Sequence, residues 1–252
     1  MFIQPNRLKQ SLQAGQSAFG VISTSDDPQL TELFGLAGFD YYVLDAEHGL
    51  LDPRQVVNVI RACERANMTP LIRIGPKDPK LVLQYLDSGM MGVIMPDLRT
   101  PAEVRRLVEA VKYPPLGKRG VGVSRASSYM AYSGAAPGYI EFSNQQTLVI
   151  PQFEDASLLP NFAEIFAQPL VDGVLIGPRD LSLNMGFADG PSHPEVQHTI
   201  DLVIQQCQNH HLAAGITAAN HAEAQTQIAR GATLILGIAQ VLILNGAKTL
   251  LT

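Results

Sequence analysis

The sequence predicts a (β/α)8 barrel. Three observations lead there: eight short apolar, β-rich runs recur along 252 residues, helix-start signals follow several of them at a regular beat, and ionisable residues gather at the ends of a subset of the runs. Parallel strands covered on both faces read as continuous apolar runs. Eight strand–helix units in about 250 residues is the usual size of such a barrel. A doubly wound sheet is the alternative, because eight units do not prove closure. No internal boundary interrupts the pattern, so 1–252 is read as one domain.

The elements follow in order. Strands are expected over 18–23, 41–44, 70–74 and 93–95. After them come Asp27-Pro28, Asp52-Pro53, Asp78-Pro79 and Thr100-Pro101, at steps of 25, 26 and 22 residues. Each pair suits an N-cap followed by proline at the first helical position: the cap oxygen accepts an orphan N–H, and proline has no N–H to lose. Thr100 with Glu103 has capping-box spacing. Val56, Val57, Ile60 and Val104, Leu107, Val108, Val111 supply helical periodicity. A Gly/Ser/Tyr-rich insertion, 114–146, then breaks the rhythm; a loop this long is usually functional or carries short helices. Lying between the fourth helix and the fifth strand, it starts at the end opposite the active face and must run up the side or reach a neighbouring subunit. Its Arg119 and Arg125 are read as structural. Strands resume over 148–152, 173–176, 213–217 and 233–237, with Asn220 and Glu223 marking a late helix start.

Composition narrows the function. With 46% hydrophobic and 16% charged residues the chain is globular. A net charge of −5 argues against a nucleic-acid partner. No apolar run is long enough to span a bilayer, and the N-terminus has no secretory h-region, so a cytoplasmic protein is expected. Cys63 and Cys207 are read as reduced packing thiols. No GxGxxG or GxxxxGK[ST] follows a strand, which disfavours a nucleotide cofactor.

Barrel active sites sit at the C-terminal ends of the strands. There the sequence places Asp45, Glu47 and His48 (LDAEHG), Arg73 (LIRIG), Gln152 and Glu154 (VIPQFED), and Asp180 (LIGPRDLS). Burying such groups costs several kcal/mol unless they are paired or put to use. Glu154 and Asp180, completed by waters and substrate oxygens, suit a hard divalent cation such as Mg²⁺ or Mn²⁺; helix capping by Asp180 and an arginine partner for Glu154 are the structural alternatives. His48 is the one histidine at a strand end and a candidate general base, with Asp45 placed to orient its ring. Arg73 is either a partner for these carboxylates or a fixed cation facing developing negative charge. Asp87, at a helix end where its charge opposes the dipole, is a candidate for a tertiary contact such as His48. No lysine falls within an apolar strand, which disfavours Schiff-base chemistry.

Taken together, NRLKQSLQAG, LDAEHG, LIRI, LDSG, YPPLGKRGVG, PQFED and DGVLIGPRDLSLNMG resemble the HpcH/HpaI aldolase family, in order from about residue 6 to 186. The resemblance implies a barrel whose last helix is exchanged between subunits of a homohexamer, a trimer of dimers. It implies cleavage of a 4-hydroxy-2-oxo acid to pyruvate and an aldehyde through a metal-stabilised pyruvate enolate, with Mg²⁺, Mn²⁺ or Co²⁺ held by Glu154 and Asp180. His48 is similar to the family's base, Arg73 to its transition-state stabiliser, and Asp87 to the carboxylate supporting the histidine. Gln152 and the backbone at Arg179 would contact the pyruvate unit. Two positions depart from the family: Arg179 stands where Ala or Asn is common, and Gly237-Ile238-Ala239 lacks an Asp common after that glycine. A citryl-CoA-lyase-like or phosphoenolpyruvate-type enzyme, and a non-catalytic 2-oxo acid binding barrel, are the alternatives.

Overall fold

In the computed structural model, eight parallel strands close in chain order: β1 (Ala18–Ser23), β2 (Tyr41–Asp45), β3 (Thr69–Arg73), β4 (Gly92–Met95), β5 (Leu148–Phe153), β6 (Gly173–Ile176), β7 (Ala213–Thr217) and β8 (Leu234–Ile238). Residues 4–131 and 135–251 are described, without the side chains of 135–137. Closure comes from β1 pairing with β8, Ala18 opposite Leu234 through Ile22 opposite Ile238. The barrel expectation therefore holds over the doubly wound alternative.

Strand side chains alternate between two apolar layers. Val43, Leu71, Ile94, Ile150, Leu175 and Leu236 fill the barrel interior. Tyr42, Leu44, Ile72, Val93 and Val149 face outward and meet Val56, Ile60, Val104 and Leu107 from the helices. Both faces are buried, so a parallel strand needs apolar residues at every position. Each fully buried side chain of this size contributes about 1.5–3 kcal/mol. Tyr41 also points inward, its hydroxyl donating to the Ile235 carbonyl at 3.0 Å. A Cβ at Gly20 would lie 2.1 Å from that ring, so β1 has room for no side chain there.

The helices are α1 (Arg7–Gln13), α2 (Pro28–Leu36), α3 (Val56–Arg65), α4 (Pro79–Ser88), α5 (Pro101–Val111), α6 (Ala135–Gln146), α7 (Phe162–Phe166), α8 (Pro178–Asn184), α9 (Pro194–Asn209), α10 (His221–Arg230) and α11 (Ala239–Lys248). Asp27, Asp78, Thr100 and Asn220 cap α2, α4, α5 and α10 as their spacing implied, and Thr100 with Glu103 forms a complete capping box. Asp52 departs from expectation. It accepts the N–H groups of Arg54 and Gln55, at 2.7 and 3.1 Å, but the turn it caps is not α-helical, and α3 starts only at Val56.

Helix α1 sits at the N-terminal end of the barrel. Leu8 joins the interior cluster, and the Asn6 amide donates to the Met91 and Gln146 carbonyls at 3.1 and 2.8 Å. The 114–146 insertion contributes a 3-10 turn, Ser128–Met130, and α6, whose end packs against the same region. Arg119 donates to Asp87 at 2.7 Å and stacks 4.5 Å over the Tyr113 ring. Arg125 pairs with Glu64. Both arginines are thus structural. Lys112 lies outside the strands, as expected, at the end of α5, but it is buried: 1% exposed, it donates to the Asn144 and Thr147 carbonyls at 2.8 and 2.5 Å. Burial lowers its pKa to about 8, but it lies between α5 and α6, away from the strand ends that carry the site.

Cys63 and Cys207 are buried and unbonded. Among the described residues, no helix is long and apolar enough to cross a membrane.

Candidate active site

The LDAEHG segment forms a tight turn at the end of β2. The Gly49 N–H closes onto the Asp45 carbonyl at 3.1 Å, and a Cβ at Gly49 would lie 2.4 Å from that oxygen. Asp45 is 4% exposed and accepts four hydrogen bonds. Two come from Arg73 on the neighbouring strand, Nε at 2.9 Å and Nη2 at 2.7 Å. Two come from the backbone N–H groups of Glu47 and His48, at 3.2 and 3.3 Å. The fork-on-carboxylate geometry fixes the guanidinium plane. Burial pushes the Asp45 carboxyl up, but the hydrogen bonds and charge of Arg73 outweigh it, and the group stays below the usual carboxylate range.

This arrangement corrects one expectation. Asp45 does not orient the imidazole; it holds Arg73 and the backbone of the turn. The carboxylate beside His48 is Glu47, with Oε2 3.7 Å from Nε2 and 3.3 Å from Arg73 Nε. Glu47 Oε2 is buried and has no hydrogen-bond partner among the described residues. Burial raises the Glu47 pKa above the ordinary value; Arg73 and His48 oppose that, while Glu154 and Asp45 add to it. His48 itself is open to solvent, its side chain 61% exposed.

Glu154 lies just beyond β5. Its Oε1 accepts the backbone N–H of Asp97 at 2.8 Å, and its Oε2 accepts Gln152 Nε2 at 2.5 Å. Gln152 is 2% exposed, and its Oε1 is buried without a partner among the described residues. Gly177 follows β6 at the same level: a Cβ there would meet Gln152 Nε2 at 3.0 Å and Glu154 Oε2 at 3.5 Å. Asp180 stands one turn further on, exposed in the first turn of α8, with Arg179 exposed before it. The negative charge of Glu154 acts on both Arg73 and Glu47, which places the β2, β3 and β5 ends around one space.

Asp87 does not join them within the chain. It sits at the C-terminal end of α4, shortly before β4 begins, and takes Arg119. His48 lies past the opposite end of its strand, so the expected Asp87–His48 contact is absent within one subunit.

Comparison with known proteins gives the family. The profile of the HpcH/HpaI aldolase/citrate lyase family matches residues 18–244. The chain belongs to that family. It is 35% identical over 233 residues to the 5-keto-4-deoxy-D-glucarate aldolase of Salmonella arizonae, covering 92% of this chain and 90% of that one. The HpcH/HpaI aldolase structure from Desulfitobacterium hafniense DCB-2 superposes with a TM-score of 0.88 at 28% identity, covering 96% of both chains. A family protein from Burkholderia cenocepacia J2315 gives 0.88 at 30% identity, covering 97% of each. This HpcH/HpaI protein is a carbon–carbon lyase of the aldolase type.

The family implies a divalent metal, and the residues present fit one. Among the described residues no three His, Cys, Asp or Glu side chains form a closed cage. Mg²⁺ does not need one, since it keeps several waters and takes one or two carboxylates plus substrate oxygens. Glu154 accepts one hydrogen bond per oxygen and retains lone pairs; the buried Gln152 carbonyl is unpartnered among the described residues; Gly177, having no side chain, lets both groups approach its backbone. All of these donors are hard oxygens.

Two participants were missed by sequence reasoning. Glu47 was seen in the cluster but given no role. Asp97 supplies its backbone N–H to Glu154, while its side chain takes Lys77 at 3.3 Å and Arg99 at 2.8 Å. Its φ of 52° is a conformation Asp tolerates better than most residues, and the Pro96-Asp97 pair was the available turn signal.

Proposed function

We propose that the protein is a divalent-metal-dependent aldolase that reversibly cleaves a 4-hydroxy-2-oxo acid to pyruvate and an aldehyde. The observation that carries this reading is the close approach of Glu154 and the buried Gln152 amide to the bare backbone of Gly177, with the Arg73 cluster within electrostatic range. Glu154 and Asp180 would hold the metal, which when bound supplies Lewis-acid charge at the 2-oxo oxygen.

The chain's own groups account for the rest. Gln152 and the backbone at Arg179 orient the 2-oxo acid. Arg73, locked by Asp45, is a preorganised positive charge facing the oxygen that becomes negative. His48, exposed at the mouth, takes the proton of the 4-hydroxyl. The C4–O bond becomes the aldehyde carbonyl, the C3–C4 electron pair passes into the enolate, and a proton returned to C3 completes pyruvate. Glu47, beside both His48 and Arg73, is placed to stabilise the protonated imidazole. Relatives named for 5-keto-4-deoxy-D-glucarate support a hydroxylated oxo acid as the substrate class.

Pyruvate release from a panel of 4-hydroxy-2-oxo acids is expected to stop on chelation with EDTA and to return with Mg²⁺, Mn²⁺ or Co²⁺. His48→Ala should lower kcat by about 10²–10⁴-fold. Near-normal cleavage by His48→Ala that still binds metal would refute the assigned base.

We also propose that the protein works as a homohexamer in which α11 is exchanged between subunits. Helix α11 leaves β8 without a loop, and Ile243, Leu244, Leu250 and Leu251 at and beyond it are exposed, as are Leu33 and Leu36 on α2. Apolar exposure of this kind marks a contact surface. Sedimentation at monomeric mass across micromolar concentrations would overturn this assembly.

A further inference from the structure

A cavity of about 250 Å³ lies at the N-terminal end of the barrel, opposite the acids at the strand ends. Thr69 at the start of β3, Met91 just before β4 and Thr147 just before β5 line it on the barrel side. The 114–146 insertion supplies another wall, through Arg119, Arg125 and Ala126 and through Phe142 and Gln146 of α6. No residue of the candidate active site lines it. Ligand pockets usually measure about 300–1,000 Å³, so this one suits a small molecule.

Its charge is one-sided. Arg7, Arg119 and Arg125 line it against a single acid, Glu64. Glu64 is taken by Arg125, which also donates to the Ser88 carbonyl at 3.3 Å. Gly89 seats that guanidinium: its φ is 118°, and a Cβ there would lie 2.5 Å from Arg125 Nη1. Arg119 is the buried cation, its side chain 1% exposed. Its Nη2 donates to Asp87, but its Nε is buried with no partner among the described residues. A buried donor left unmade is costly, more so on a charged group, and native proteins leave few of them. Gln146 spends its Oε1 on the Asn6 N–H at 2.7 Å, and its Nε2 has no partner among the described residues. Arg7, exposed at the edge, has no ion pair among them.

The rest of the lining is apolar. Met68, Leu86 and Met90 are buried, and Phe142 is half-buried beside them. Methionine adapts to irregular ligand shapes. Donors and positive charge beside an apolar wall suit an anion that carries its own apolar body. A carboxylate matches the planar guanidinium, and it has less charge to desolvate here than a phosphate dianion.

We infer that this cavity is a second ligand site, which binds a small carboxylate with an apolar body. The carboxylate faces Arg119 and Gln146, and the body lies against Met68, Met90 and Phe142. The site is separate from the aldolase centre and needs no metal.

The test is calorimetric titration of the full chain in EDTA with benzoate, benzyl alcohol and inorganic phosphate. Benzoate and benzyl alcohol share a ring, and only the first is charged. Benzoate should bind once per subunit and about tenfold or more tightly than either of the others, the worth of one charge-assisted contact. It should also raise the thermal midpoint, as any ligand of the folded state does. Ala126→Leu fills the cavity without touching either ion pair and should abolish both effects. Arg119→Lys keeps the charge beside Asp87, loses the Nε donor and should bind benzoate about tenfold more weakly. Glu154→Gln, at the other end of the barrel, should bind it as wild type does. No binding of benzoate, equal binding of benzyl alcohol or phosphate, or binding that survives unchanged in Ala126→Leu would overturn the inference. So would loss of binding in Glu154→Gln, which would place the benzoate at the strand ends.

Discussion

Glu154→Gln is expected to lower metal-dependent pyruvate release by about 10³-fold or more while the barrel stays folded. The substitution keeps the volume of the side chain and removes its charge. In the native site the carboxylate accepts the Asp97 N–H and the Gln152 amide, at 2.8 and 2.5 Å. An amide can keep one of those bonds through its oxygen, but its nitrogen must then face a donor. In the proposed metal site, Glu154 is one of two anionic ligands of a dication that otherwise relies on water and substrate, so its loss should remove most of the hold. Losing the Lewis acid forfeits several kcal/mol of transition-state stabilisation, and about 4 kcal/mol corresponds to that thousandfold loss. The checks are kcat/KM for pyruvate release, metal affinity by calorimetry and the thermal midpoint. Unchanged metal affinity in Glu154→Gln would remove this residue from the metal site and leave the proposed chemistry without its centre.

The fold was legible because burial leaves a one-dimensional trace. A strand covered on both faces must be apolar throughout, so Tyr41 to Leu44 or Gly173 to Ile176 stand out without any partner being known. Helix starts were legible for a similar reason: Asp27, Asp78 and Thr100 satisfy N–H groups two or three residues away, within the same short window of chain. Closure was not written in any window, since it depends on β1 meeting β8 from the far end of the chain. At the site, Arg73, Glu154 and Asp180 were visible as charges ending apolar runs. The bond from Asp97 to Glu154 was not, because a backbone N–H has no residue code. The pairing of Asp87 with Arg119 crosses 32 residues into the insertion, and nothing local distinguished it from a contact with His48. Asp45 was noticed for the right reason, an acid at a buried strand end, but given the wrong partner. The ladder places Asp45 directly opposite Arg73, and that adjacency follows from β2–β3 register, which the sequence does not print.

That register makes Arg73→Met the most damaging single change expected here, and the one that separates stability from catalysis. The variant keeps a long apolar stem but leaves Asp45, 4% exposed, without its counter-charge. Breaking a buried pair by removing one partner costs about 3–5 kcal/mol, largely because the remaining charge is uncompensated. Activity should fall as well, by about 10³-fold, if the guanidinium faces the developing enolate charge. The pH dependence follows from the same pair. The Asp45 carboxyl titrates below its unfolded value, so the unfolded state binds more protons in that range, and the pair's stabilisation is complete above an unfolded pKa of about 3.9. It is lost as pH falls through the lower folded value. Arg73→Met should therefore remove part of the acid sensitivity of unfolding near and below pH 4. The double variant Asp45→Asn/Arg73→Met supplies the control. Replacing both partners removes the stranded charge, so stability should recover by several kcal/mol relative to Arg73→Met alone, while pyruvate release stays at the low level of the single variant. Denaturant unfolding and kcat/KM measured on the same three variants decide between the roles. If activity recovered with stability, Arg73 would be a strut for the β2–β3 junction and nothing more. If neither recovered, a stranded Asp45 charge would not be what destabilises Arg73→Met, since Asn at position 45 can still accept the Glu47 and His48 N–H groups through its Oδ1, and the loss would lie with the Arg73 side chain itself.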